Sequence, residues 1–115
     1  MLFLFGFLQF GNPILLRAAQ YNRDAVIILL LDAGADINAT NIDDFTALMW
    51  ASLHGAEAAA RVLLEARADT HHSDKKGISA LKLAIENKHD SIAHLIQAAN
   101  EQEMSTEIPG EHNSG

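Results

Sequence analysis

Six histidines are the residues in this 115-residue chain best suited to chemistry, and His71 and His72 are adjacent. Histidine supplies metal ligands and proton shuttles. A helical zinc site needs two ligands one turn apart, and no His pair here has i, i+4 spacing; His54, His89 and His94 are spread along the chain. No carboxylate stands beside them in a recognisable ligand pattern, so they read as solvated surface histidines. Nucleophilic catalysis fares no better. Serine is present, but the chain has no G-x-S-x-G elbow, phosphate-binding loop or G-x-G-x-x-G. With no cysteine, thiolate metal sites, disulfides and cysteine nucleophiles are excluded. No cofactor or metal is expected, and the chain reads as a non-enzyme.

Charge narrows the partners further. Fifteen acidic against eight basic residues give a formal charge of −7. Non-specific nucleic-acid binding draws on basic groups that release counterions, so this balance points away from DNA and RNA. The pair Lys75–Lys76 is isolated in an acidic background and suits solubility or an acidic patch on a protein partner. Trp50, the one tryptophan, reads as core or half-buried packing rather than a free hot spot.

The elements behind these residues come from a repeat. Laid over residues 44–76, residues 11–43 show eight identities, among them Leu15/Leu48, Ala18/Ala51, Leu30/Leu63, Ala35/Ala68 and Asp36/Asp69. Nearly all are Leu or Ala, which close packing of helices on their copies would select. Apolar spacing predicts a first helix over about 13–20, 46–53 and 79–86. It predicts a second helix over about 24–33, 57–66 and 90–100. Thr46 and Ser79 serve as N-caps, and Asn12 followed by Pro13 does the same with proline at the first helical position. Asp24 and Asp90 favour the second helices' N-termini. Left-handed stops are expected at Asn22, Gly55, Lys88, Gly34, Arg67 and Asn100, with strain of about 1 kcal/mol at Lys88 and Arg67. The polar stretches 35–45 and 68–78 suit hairpin-like turns that project outward.

The 33-residue period and the phrases "TALMWAS…HG…VLLEARAD" and "LLLDAGADINA" resemble the ankyrin repeat. The resemblance implies an all-α solenoid of stacked helix–turn–helix units joined by hairpin-like loops. It covers residues 11–101 as 11–43, 44–76 and 77–101, flanked by an apolar segment (1–10) and a polar, disordered tail (102–115). The family's T-P-L-H tetrapeptide is not kept: its proline slot holds Ile14, Ala47 and Ala80, and its histidine slot Leu16, Met49 and Lys82. The array is therefore expected to rest mainly on apolar stacking and to be modestly stable.

The resemblance further implies a protein-binding module using a concave face of hairpin tips and the exposed side of the first helices. On this chain those positions are Asn12, Gln20 and Tyr21; then Ile42, Asp43, Phe45, Leu53 and His54; then Lys75, Lys76, Ile78, Glu86 and Asn87. Tyr21, Ile42, Phe45, Leu53 and Ile78 would form an apolar patch with a charged rim. The alternative is that Phe45 and Ile78 fold back against their own hairpins. A monomeric, cytoplasmic protein is expected, with membrane association disfavoured.

The start of the chain fits this frame less easily. "MLFLFGFLQF" lacks a basic n-region and is shorter than the roughly 20 apolar residues that span a bilayer. It is expected to fold back on the first repeat as a cap. The competing readings are a truncated signal or anchor on an exported or membrane-associated protein, and a boundary within a longer ankyrin protein.

Overall fold

In the computed structural model, residues 13–107 are described, with side chains to residue 103. They form six helices: α1 (Ile14–Gln20), α2 (Asp24–Asp32), α3 (Ala47–His54), α4 (Glu57–Glu65), α5 (Ala80–Glu86) and α6 (Asp90–Glu107). The helices pair as α1–α2, α3–α4 and α5–α6. The first helices then stack on one another in one layer and the second helices in a parallel layer. The all-α solenoid is as expected.

The core lies between the layers. Leu15, Leu16, Leu48, Met49, Leu63, Ile92 and Ile96 are all 2% exposed or less. Alanines at 18, 19, 47, 51, 59, 60, 80 and 84 are buried where helices cross. Leu16 and Met49, in the family's histidine slot, are sealed in this core, while Lys82 in the third copy is exposed.

Local chemistry fixes the helix ends. The Thr46 hydroxyl accepts the Met49 N–H at 3.2 Å, and the Ser79 hydroxyl accepts the Lys82 N–H at 3.3 Å. Pro13 takes the N-cap position of α1 rather than the first helical one, with ψ 142° and no side-chain cap. Its fixed φ still admits helix entry one residue later. Asn12 lies outside the described residues.

Five of the six expected left-handed stops are present: Asn22, Gly34, Gly55, Arg67 and Lys88 have φ between 59° and 96°. Each is followed by an amide that reaches back to the carbonyl five residues before it. These bonds are Arg23 to Ala18, Ala35 to Leu30, Ala56 to Ala51, Ala68 to Leu63 and His89 to Ala84, at 2.8–3.0 Å. They are Schellman closures, which satisfy carbonyls the helix leaves open.

Asn100 departs from expectation. It is not left-handed, and α6 runs on to Glu107, so the segment from 102 to 107 is helical rather than disordered. The Asn100 side chain instead accepts the Thr70 hydroxyl at 2.6 Å, tying α6 to the preceding loop. The Glu- and Gln-rich sequence beyond it has high helix propensity.

Candidate functional site

Both inter-repeat loops end in the same side-chain-locked turn. The Asn41 Oδ1 accepts the N–H groups of Asp43 (2.9 Å) and Phe45 (3.0 Å), while the backbone N–H of Asn41 reaches the Phe45 carbonyl. One repeat later, Asp74 Oδ1 accepts Lys76 (2.8 Å) and Ile78 (2.9 Å), and its N–H reaches the Ile78 carbonyl. These are Asx turns, in which a short polar side chain substitutes for backbone pairing. The left-handed corner is Asp44 (φ 68°) in the first and Gly77 (φ 80°) in the second. The turns leave Ile42, Asp43, Lys75 and Lys76 exposed at their tips.

The turns also swing Phe45 and Ile78 inward. Phe45, Leu53 and Ile78 are half-buried and pack against the core, so they do carry an obligation to it. Of the two readings, the fold-back of Phe45 and Ile78 is the one seen, because the turn aims the residue leaving the hairpin at the helix it starts; Leu53, within α3, also departs from the expected exposed patch. Of the five apolar positions, only Ile42 (75%) and Tyr21 (61%) are largely exposed. His54, Glu86 and Asn87 are exposed at the ends of α3 and α5. The Asn87 amide donates to the Leu83 carbonyl at 2.8 Å.

Sequence reasoning missed a group centred on Trp50. Its indole ring is half-buried and meets Phe45 edge-on (centroids 5.4 Å apart, planes at 86°) and His54 on another side (5.1 Å, 67°). Edge-to-face pairs of this kind are stabilising beyond their buried area. The indole N–H donates to Gln20 Oε1 of the previous repeat at 3.1 Å. Positions 17, 50 and 83 are equivalent in the repeat, and only the middle one carries an aromatic residue.

His54, His71 and His94 are exposed, as expected of surface histidines, while His72 and His89 are held partly buried between repeats. His72 Nε2 lies 3.0 Å from the Asp44 carbonyl and 3.2 Å from its carboxylate. Both partners are acceptors, so Nε2 carries a proton and donates from one hairpin to the other. His71 approaches Glu103 at 3.4 Å across an exposed gap. The His89 ring covers Gly55, where a Cβ would sit 2.6 Å from it. Further bonds cross between repeats: Asn22 Oδ1 accepts the Ala59 N–H and Asn38 Oδ1 the Asp69 N–H, both at 2.9 Å. Apolar stacking is thus joined by a polar seam of bonds between neighbouring repeats. Among the described residues no three His, Asp or Glu side chains converge on a point fit for a metal ion.

Repeated helix pairs, Schellman closures and outward hairpins at a 33-residue interval have a counterpart among known families. A description of ankyrin repeats in three copies matches residues 9–107. The chain belongs to the ankyrin repeat family. Ankyrin repeats are generally protein–protein interaction modules. The chain is 36% identical over 73 residues to the zebrafish (Danio rerio) ankyrin repeat and SAM domain-containing protein 6, covering 63% of this chain and 10% of that protein. It is 31% identical over 78 residues to the Arabidopsis thaliana E3 ubiquitin-protein ligase KEG, covering 68% of this chain and 5% of that one. The ankyrin chain therefore spans a tenth or less of the curated relatives it matches here. No helix among its described residues is long and apolar enough to cross a membrane.

Proposed function

We propose that this ankyrin chain is a non-enzymatic module that captures a protein partner on its hairpin and first-helix face, centred on the second repeat. The observation that carries this reading is the Phe45–Trp50–His54 group, fixed by the Gln20 bond and found at no equivalent position in the third repeat. Binding energy at protein interfaces concentrates in aromatic anchors already held in place. Tyr21, Ile42 and Asp43 on one side, and Lys75, Lys76, Glu86 and Asn87 on the other, form the exposed surround, with Leu53 and Ile78 backing it from below.

Exposed positions give the cleanest test, because changing them spares the core. Ile42→Asp combined with His54→Ala should abolish capture of partner from a lysate while the circular dichroism spectrum stays unchanged. Glu57→Ala combined with Arg61→Ala, an exposed pair on the opposite layer, should leave capture intact. The reverse pattern would place the partner on the second-helix face and end this reading.

A further inference from the structure

The outer end of the first repeat carries an apolar groove of about 530 Å³, lined by Ile14, Arg17, Ala18, Tyr21, Arg23 and Val26. The principal helix neighbours of α1 and α2 among the described residues are one another, α3 and α4, all on one side of the stack. Tyr21 is 61% exposed, Val26 41%, and Leu29, one turn further along α2, 67%. Within α2 only Ile27 is buried, although six of its nine residues are large and aliphatic. Contiguous apolar surface of this kind marks an interaction site.

We propose that the occupant is the chain's own segment Leu2–Phe10. It joins the described fold at Pro13, beside groove residue Ile14, so a short tether would present it at millimolar effective concentration. Seven of its nine residues are Leu or Phe and none is charged. The groove's rim argues for such an occupant over a second copy of the chain. Arg17 and Arg23 are exposed members of the groove's lining, and a two-fold pairing of this face with itself would bring four guanidinium groups together. An uncharged strip of large apolar side chains fills the floor and leaves both arginines to solvent.

The absence of cysteine from these 115 residues makes disulfide trapping a direct test. Val26→Cys is combined in turn with Phe3→Cys, Phe5→Cys, Phe7→Cys and Leu8→Cys. Each segment substitution is also paired with Ile28→Cys, a control on α2 itself, two residues from Val26 and so on another face of that helix, where the native side chain is 46% exposed. Under mild oxidation at least one Val26→Cys pairing should form an intramolecular disulfide roughly tenfold faster than its Ile28→Cys counterpart, since a free tether reaches both positions of α2 while a docked one reaches the groove side alone. Equal rates at the two sites, or no cross-link with Val26→Cys, would overturn the assignment. Disulfide-linked dimers through Val26→Cys would hand the groove to a second copy.

Discussion

The second and third repeats are built from the same parts and present different surfaces. Thr46 and Ser79 cap equivalent helices, Asn41 and Asp74 lock equivalent turns, and Gly55 and Lys88 close equivalent helix ends. At the caps and turns side-chain type is dictated by a backbone group that must be satisfied, and at the helix ends the backbone itself turns left-handed, so the local structure is kept even where the residue changes. Thirty-three residues apart, Phe45, Trp50, Leu53 and His54 become Ile78, Leu83, Glu86 and Asn87. Leu83 is 6% exposed and ends in the core, whereas Trp50 fills the same slot and extends past it to touch Phe45, His54 and Gln20. A slot filled by Leu83 in the third repeat admits in the second a side chain large enough to pack and, in the proposed role, to anchor a partner at once.

The largest expected effect breaks that double duty. Trp50→Ala removes two ring contacts and the inter-repeat bond to Gln20, and should lower stability by about 3 kcal/mol, read as a fall in the urea midpoint. Trp50→Leu makes the second repeat resemble the third. It should recover more than half of that stability and none of the partner capture. If it restores capture, the aromatic group is packing alone.

Next come the turns. Asn41→Ala and Asp74→Ala each remove two side-chain bonds to backbone, and each should cost about 1–2 kcal/mol. Similar losses would show that the hairpins are equivalent supports for unlike tips. A loss at one site only would mean that the turns differ in how far the rest of the loop holds them.

Smaller still is the strain at left-handed corners. Gly34 relaxes after the first repeat's second helix what Arg67 (φ 69°) bears after the second's. Arg67→Gly should gain at most about 1 kcal/mol, reduced by the greater freedom of glycine in the unfolded chain. Asp44→Gly should gain less, because it also removes the carboxylate that faces His72. A lower urea midpoint for Arg67→Gly would contradict the strain.

The period made much of this fold legible. Arg67 and Lys88 are poor left-handed residues by type, yet their register with Gly34 and Gly55 identifies them. Asn100 misleads for the same reason: register marks it as a stop, but the bond from Thr70 holds its side chain while α6 continues. The surface was less legible. Whether Phe45 points outward depends on a turn locked by Asn41, and periodicity carries no sign of that lock. The pairs Asp44–His72, Asn22–Ala59 and Gln20–Trp50 join residues 28–37 apart, where no local pattern exists to reveal them.

Amide hydrogen exchange with and without captured partner shows whether this ankyrin chain meets that partner with the hairpins and first helices of its second and third repeats. Exchange should slow at residues 41–54, and to a lesser degree at 74–87, while α4 and the stretch 90–103 of α6 keep their free-state rates. Protection confined to α4 and α6, with 41–54 unchanged, would contradict that contact.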